Sequence, residues 1–308
     1  MRDIYDAIIV GGGPAGYTAA LYLARAGIST LLLEPMYIGG QMATTGKVEN
    51  YPGLSAIDGY ELGARMQADA HAFGAKTVYE TVTALDLSSD IKKIATDAGR
   101  EYFSRSVIIA TGASPRRLSL EGEDRLIGAG VHFCAHCDGG FYRDKEVVVI
   151  GGGNTAVGDA LYLSRIAKRV TLIHRRDTLR AVGREAEALA ARENVRILYN
   201  TRPVEFITED GALTGLKVRG DDGEHILSAD GIFVAIGRVP SSELVRGVLP
   251  LDGQGYIIAG EDTVTNIAGV FAAGDVRTKP LRQIVTATAD GATSAEGVIR
   301  YLDGMHLL

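Results

Sequence analysis

The chain has 308 residues, 46% apolar and 23% charged, an ordinary globular balance that excludes a disordered chain and leaves room for about two domains. Its 32 basic and 38 acidic residues give a net charge of −6, which disfavours a general nucleic-acid or anionic-membrane binder. Glycine is the outlier: 39 glycines stand beside eight prolines with no Gly-X-Y period, which excludes collagen and points to tight turns where backbone meets phosphate.

The N-terminus, MRDIYDAIIVGGG, does not read as a signal peptide, because its apolar stretch is short and runs into a Gly turn. No apolar run approaches the ~20 residues of a membrane helix, so the expectation is a cytoplasmic protein. Ile8–Val10 reads as a buried parallel strand. Gly11-x-Gly13-x-x-Gly16 follows, with a helix from Pro14 to about Ala26, where Pro suits the first turn. A strand over Thr30–Leu33 ends at Glu34, close to the ~20-residue spacing expected for an acid that binds a ribose 2′-OH. A helix N-terminus in this setting offers free N–H groups and a positive dipole end to a pyrophosphate.

Further along come Gly39-Gly40-Gln41, the turn at 49–53, an amphipathic helix around Gly59–Phe73 and short strands through Thr96. A buried strand over Ser106–Ala110 ends at Thr111-Gly112. The chain is expected to cross into a second domain near 113–118. Just beyond lie its two cysteines, in His132-Phe-Cys134-Ala-His136-Cys137-Asp138. Disulfides that serve only structure are rare in the cytosol, so a close pair points to redox or metal chemistry. A low-pKa thiolate attacks disulfides, and Asp138 is near enough to move protons. Asp138 also reads as a simple turn residue or N-cap. Zinc held by Cys134, Cys137, His132 and His136 is the competing reading, although four ligands within six residues would strain a tetrahedron.

Residues 146–174 repeat residues 6–34 at an offset of 140 without a gap. Gly11, Gly12, Gly13, Ala20, Leu21, Tyr22, Leu23, Arg25 and Leu32 all recur. Each copy is a β-α-β unit. The second has Gly151-x-Gly153-x-x-Ala156, and His174 replaces Glu34, followed by Arg175, Arg176 and Arg180. A carboxylate repels a 2′-phosphate, whereas Arg forks match its oxygens. The copies therefore predict two dinucleotides, one with a free 2′-OH and one NADP(H). The rival reading of the cluster is a solvated basic face. A strand at Gly231–Ile236 precedes a return crossing near 238–245. A strand at Gly269–Ala273 and a helix from about Gln283 to Tyr301 close the chain. The expected fold is α/β, with two Rossmann-like, three-layer dinucleotide-binding domains, the second (115–244) inserted into the first (1–114 and 245–308).

GGGPAG at 11–16, GGQM at 39–42, VENYPG at 48–53, ATGASPR at 110–116, CAHCDG at 134–139, GGGNTAV at 151–157, HRRDTLRA at 174–181 and GVFAAGDV at 269–276 with RQ at 282–283 run through nearly the whole chain. On these motifs the sequence resembles the low-molecular-weight bacterial thioredoxin reductases. The resemblance implies FAD on the first domain, with Gly11, Gly13, Pro14, Ala15 and Gly16 at the pyrophosphate and Glu34 at the adenosine ribose. It places Gly39, Gly40, Gln41, Met42, Asn50, Val82, Ala110, Thr111, Gly112, Gly274, Asp275, Arg282 and Gln283 along the rest of FAD. It implies NADPH at Gly153, Asn154, Thr155, Ala156, His174, Arg175, Arg176 and Arg180. Hydride would pass from NADPH to FAD and then to a Cys134–Cys137 disulfide, with Cys137 facing the flavin, Cys134 attacking thioredoxin and Asp138 as general acid. It also implies a homodimer and an inserted domain that moves between two orientations about its crossings.

The chain departs from commoner members at His136, Gly140 and Gly158-Asp159, which bears on thiol acidity and the partner surface. A flavin-dependent dithiol oxidase or a ferredoxin-linked reductase would share the fold without needing the Arg cluster. A peroxiredoxin reductase usually carries a fused N-terminal redox domain, whereas Met1 stands directly before the first strand. A non-enzymatic redox sensor or zinc module would have no use for a second nucleotide site.

Overall fold

A computed structural model describes residues 4–35, 38–45, 47–181 and 183–305. The chain divides into two compact units, Met1–Ser114 with Val239–Leu308, and Pro115–Arg238. In chain order the first unit opens with β1 (Ile4–Val10), α1 (Pro14–Arg25), β2 (Thr30–Glu34), α2 (Gly59–Ala72), β3 (Lys76–Tyr79), β4 (Val82–Asp86), β5 (Lys92–Thr96) and β6 (Glu101–Ile109). Strand β7 (Ala113–Pro115) leads into the second unit, which begins with α3 (Glu123–Leu126), β8 (Val131–His132) and α4 (Ala135–Asp138). Next come β9 (Glu146–Ile150), α5 (Asn154–Leu163), β10 (Arg169–Ile173), α6 (Arg184–Ala190) and β11 (Val195–Leu198). Strands β12 (Arg202–Glu209), β13 (Ala212–Gly220), β14 (Gly223–Ser228) and β15 (Gly231–Val234) complete it. Strand β16 (Arg238–Pro240) returns the chain and pairs with β7, and β17 (Val270–Ala272) and α7 (Ile284–Gly304) end the first unit.

The sequence repeat is a structural repeat down to strand register. Ala7 pairs with Thr30 and Val10 with Leu33 between β1 and β2. At the same offset of 140, Val147 pairs with Val170 and Ile150 with Ile173 between β9 and β10. The first sheet runs β3-β2-β1-β6-β5-β4, with β17 also on β6. β1, β2, β3, β6 and β17 are parallel, and β4 and β5 form an antiparallel edge. The second sheet, β11-β10-β9-β15-β8, is wholly parallel.

Both faces of each sheet are covered, which is why the strands read as apolar runs rather than alternating ones. In the first unit Ala7, Ile9 and Leu32 pack with Tyr17 and Leu23 of α1 and Val298 and Leu302 of α7. Their neighbours Ile8, Val10, Leu31 and Leu33 face the other way, onto Ile94, Val245 and Ile257. In the second unit Val147 and Val149 meet Ala156, Val157, Ala160 and Leu163 of α5. Val148 and Ile150 meet Phe206, Leu213, Leu216 and Val218. The third layer of that unit is therefore the antiparallel sheet β12-β13-β14. The return crossing comes earlier than 245. The segment 239–244 belongs to the first unit, where Ser242 Oγ donates to Gly255 O at 2.7 Å.

One buried carboxylate organises the end of the first unit. Asp290, on α7, accepts from Arg277 Nε and Nη2 at 2.8 and 2.7 Å, from Lys279 Nζ at 2.9 Å and from Gly274 N at 2.8 Å. Lys279 Nζ also reaches Thr286 O in the first turn of α7. Burial pushes the Asp290 carboxyl up, but the Arg277 and Lys279 hydrogen bonds outweigh it and hold it below the ordinary value. This cluster ties the segment 274–283 to the helix that follows. Replacing Asp290 with Asn leaves a guanidinium that is only 1% exposed with Glu261, at 3.5 Å, as its remaining carboxylate and should cost about 3–5 kcal/mol, read by urea unfolding near pH 7. Because the folded value is depressed, the stability it confers is present above the unfolded carboxylate value and lost as pH falls through the folded one. The gap between wild type and D290N should therefore close below about pH 4.

Candidate functional sites: two glycine turns and a disulfide

In the first unit the turn after β1 can be built only from glycine. Gly11 has φ +109, and a Cβ there would collide with Ala110 O. Gly13 is the N-cap of α1, has no side chain to cap with, and faces open space. Pro14 takes the first helical position, where its missing N–H costs nothing. The first-turn N–H groups are thus left for a ligand. Glu34 at the end of β2 is buried, and its Oε2 accepts from Gly12 N at 2.6 Å. The predicted acid therefore sits at the glycine turn itself.

Other predicted residues gather at the same helix end. A Cβ on Gly40 would lie 3.3 Å from Gly13 Cα, and one on Gly274 would lie 3.0 Å from Ala15 Cβ. Gly16 packs against Gly11 O with no room for a side chain. The segments 39–42, 110–112 and 274–275 thus converge on the start of α1. Met42 is buried with Val48, Ile57 and Leu62, while Gln41 beside it is exposed. Asn50 Nδ2 donates to Gln283 Oε1 at 3.1 Å, and Gln283 closes a capping box with Thr286 at the start of α7. The Arg282 guanidinium lies over the Tyr256 ring at 3.9 Å and donates to Asp275 O at 3.4 Å. Thr111 Oγ1 donates to Ser241 O at 2.6 Å. The Val82 side chain is packed in the core, so what it offers a ligand is its backbone.

The second unit repeats the turn with a different charge. Gly151 again backs onto a strand-end carbonyl, Ala235 O, and Gly153 caps α5 without a side chain. Ala156, in place of the third glycine, is buried against Gly151. Asn154 and Thr155 are exposed in the first turn of α5. Arg180 N donates to Gly152 O at 2.7 Å. This bond brings the Arg180 guanidinium to 3.5 Å from where a Gly153 Cβ would lie. Arg175, Arg176 and Arg180 are exposed, and none has an acidic partner among the described residues. His174 ends β10 with its ring against Gly152, and burial together with the positive Arg180 holds its pKa below the usual range. Its Nε2 is buried and lacks a hydrogen-bond partner, a condition natural proteins rarely leave unmet. Free N–H groups, unpaired guanidiniums and an orphaned imidazole nitrogen all fit a phosphorylated nucleotide.

Cys134 and Cys137 form a disulfide, with Cα atoms 5.3 Å apart. Cys134 is the N-cap of the short α4, and Cys137 N and Asp138 N both donate to its carbonyl at 3.2 and 3.0 Å. Asp138 caps nothing with its side chain. Its Oδ2 lies 3.2 Å from His132 Nδ1, and His132 Nε2 lies 2.7 Å from Tyr142 OH. Burial, then the negative Asp138 and Asp230, push the Tyr142 phenol up to about 12. His136 lies on the other side of the motif, its ring 4.3 Å from that of Tyr162. Both sulfurs are taken up by the disulfide, and the two histidines face other partners.

Two glycine-turn dinucleotide folds, one inserted in the other, with a disulfide on the inserted one, define a nucleotide-dependent disulfide oxidoreductase. The model of the pyridine nucleotide-disulphide oxidoreductases matches residues 5–291, and the chain belongs to that family. It is 42% identical over 304 residues to a thioredoxin reductase of Listeria monocytogenes, covering 98% of this chain and 95% of the relative. It is 44% identical over 312 residues to one of Peptoclostridium litorale, covering 98% of each. The crystal structure of thioredoxin reductase from Streptococcus pyogenes superposes with a TM-score of 0.91 at 38% identity, covering 99% of this chain and 100% of that one. No helix among the described residues is long and apolar enough to cross a membrane.

Sequence reasoning considers His132 only as a zinc ligand and Asp159 only as a departure from commoner family members. Asp159 lies inside α5, where burial raises its carboxyl to about 7 against a smaller pull from the positive Arg238. A raised folded value means stability is full below the unfolded carboxylate value and is lost as pH rises through about 7. Asp159→Asn should therefore match wild type near pH 4 and exceed it above pH 7, by on the order of 2–4 kcal/mol. Urea unfolding across that range measures the difference.

Proposed function

We propose that this chain is an NADPH-dependent flavoprotein that reduces a thioredoxin disulfide, with FAD on the first unit and NADPH on the second. The observation that carries the reading is the contrast between the two glycine turns: Glu34 binds the Gly12 backbone at one, and Arg180 stands at Gly153 at the other. The first suits the free ribose of FAD and the second the 2′-phosphate of NADPH. The unpaired Arg175, Arg176 and Arg180 also favour this reading over a dithiol oxidase, which needs no such cluster. The relatives' names favour thioredoxin as the substrate. The reading carries with it a cytoplasmic homodimer.

When bound, the nicotinamide and flavin together supply an electron pair for the disulfide. The uncapped first turns of α1 and α5 hold the two pyrophosphates, and Arg175, Arg176 and Arg180 hold the extra phosphate. Asn50, Gln283, Arg282 and Asp275 hold the flavin end. An electron pair entering the Cys134–Cys137 bond breaks it and leaves two sulfur anions, one of which takes a proton from Asp138. In the thioredoxin step Cys134 attacks one sulfur of the partner disulfide, a mixed disulfide forms, and the displaced thiolate takes a proton. Cys137 then attacks Cys134, the internal disulfide closes again, and the second thioredoxin thiolate leaves and is protonated. The balance is one hydride and one proton consumed per disulfide reduced.

The purified protein should be yellow, and NADPH under anaerobic conditions should bleach it far faster than NADH does. Cys134→Ser and Cys137→Ser should abolish thioredoxin reduction while NADPH still bleaches the flavin; loss of bleaching in both would break the order of transfer. Replacing Arg175 and Arg176 with Ala should lower the NADPH-to-NADH ratio of kcat/KM by about tenfold or more, since each charge-assisted bond lost is worth at least that factor. An unchanged ratio would place the 2′-phosphate elsewhere.

A further inference from the structure

The geometry assigns His132 as the positioning residue of the proton donor: it fixes which oxygen of Asp138 carries the proton to and from the thiols. The assignment rests on the reading of Cys134, Cys137 and Asp138 as the redox centre. His132 ends β8, two residues before Cys134, and only 5% of it is exposed. Its ring is clamped, stacked on Phe233 at 5.4 Å and met edge-on by Tyr142 at 5.3 Å. A packed ring of this kind cannot swing to find another partner.

The tautomer follows from the neighbours. In its carboxylate form Asp138 can only accept, so His132 Nδ1, 3.2 Å from Oδ2, carries the hydrogen, and Nε2 accepts from the Tyr142 O–H 2.7 Å away. An imidazole that accepts at one nitrogen carries its hydrogen on the other. Nδ1–H therefore donates to Asp138 Oδ2 at 3.2 Å. With Oδ2 engaged as an acceptor, Oδ1 is the oxygen left to hold the mobile proton. When a thiolate takes that proton, Asp138 becomes a carboxylate and the His132 hydrogen bond becomes charge-assisted, which is the stronger kind. The O–H bond of Asp138 breaks, the S–H bond forms, and His132 neither gains nor loses a proton. The other charged groups near the chain of contacts are Asp230 and Lys145, whose ammonium lies 5.6 Å from the Tyr142 ring centre. Both act on Tyr142 and leave the His132–Asp138 contact alone.

A histidine that only fills space would tolerate any replacement of similar size. One that donates from Nδ1 is mimicked by Asn, whose amide nitrogen falls near that position, and not by Gln, whose amide reaches toward Nε2. The test compares His132→Asn, His132→Gln and His132→Leu in the full-length, FAD-loaded protein. Two rates are read: flavin bleaching by NADPH and steady-state reduction of thioredoxin. H132N should keep thioredoxin kcat within about threefold of wild type. H132Q and H132L should lose about tenfold or more in kcat, the worth of a hydrogen bond to a charged group, with KM for thioredoxin and the bleaching rate unchanged. Adding Asp138→Asn to H132L should cost no more than Asp138→Asn alone, because the two side chains act as one unit. Equal losses in H132N and H132Q, or additive losses with D138N, would overturn the assignment. A wild-type protein that bleaches with NADPH yet never reduces thioredoxin would instead overturn the proposed substrate.

Discussion

Helices α1 and α5 begin on glycines, Gly13 and Gly153, that offer no side chain to the first-turn N–H groups. Orphan donors at a helix start are normally met by Ser, Thr, Asp or Asn. Leaving them open at both copies is a cost to the fold that only a ligand removes, and much of each unit is arranged to keep those donors reachable. The parallel strand before each helix must end in a backbone that turns in one residue against a neighbouring strand-end carbonyl. Gly11 and Gly151 do so at φ +109 and +155, against Ala110 O and Ala235 O. Any side chain at those two positions would collide, so the first residue of each turn must be glycine.

With the donors fixed by backbone, only the side chains at the far strand end can distinguish one nucleotide from another. At the first copy Glu34 spends one oxygen on Gly12 N, which anchors a negative charge beside the turn. At the second copy His174 occupies the matching place, and its ring packs on Gly152 where a carboxylate packs on Gly12. The exposed guanidiniums follow directly in sequence, and the Arg180-to-Gly152 backbone bond brings that of Arg180 to the helix start. One duplicated scaffold thus carries opposite charges at equivalent points, with no change in strand register.

The duplicated part was legible because its signals are local. Apolar runs bounded by glycine turns fix strand, helix and strand within thirty residues, and the offset of 140 carries into the pairing. The rest was hidden for a physical reason: its contacts are long-range or its pattern is weak. The strands β12, β13 and β14 supply the third layer of the second unit with one buried face, and β12 carries Pro203 and two register shifts. Asp290 looks like an ordinary polar residue on a helix until Arg277 and Lys279, thirteen and eleven residues earlier, fold back onto it. In sequence His132 stands out only as a zinc ligand beside the two cysteines. Only folding sets Tyr142 and Phe233 around it. The residues 239–244 were assigned to the wrong side of the return crossing because a strand-then-glycine ending marks where a strand stops, and says nothing about which core the following residues join.

Two aspartates of the second unit show how surroundings, rather than residue type, divide the acid–base work. Asp159 is buried inside α5, where burial raises its carboxyl to about 7 against the pull of Arg238. Asp138 sits at the end of a one-turn helix directly after Cys137, partly open, with His132 committed to one oxygen. General acid–base catalysis needs a group whose two protonation states are both accessible at working pH and whose proton points at the reacting atom. Within this unit Asp138 meets the second condition through His132, whereas Asp159, with its carboxyl raised to about 7, lies buried inside α5 beside Arg238. That is why the fold can carry a buried acid a few residues into a nucleotide-binding helix without its competing for the chemistry at the disulfide.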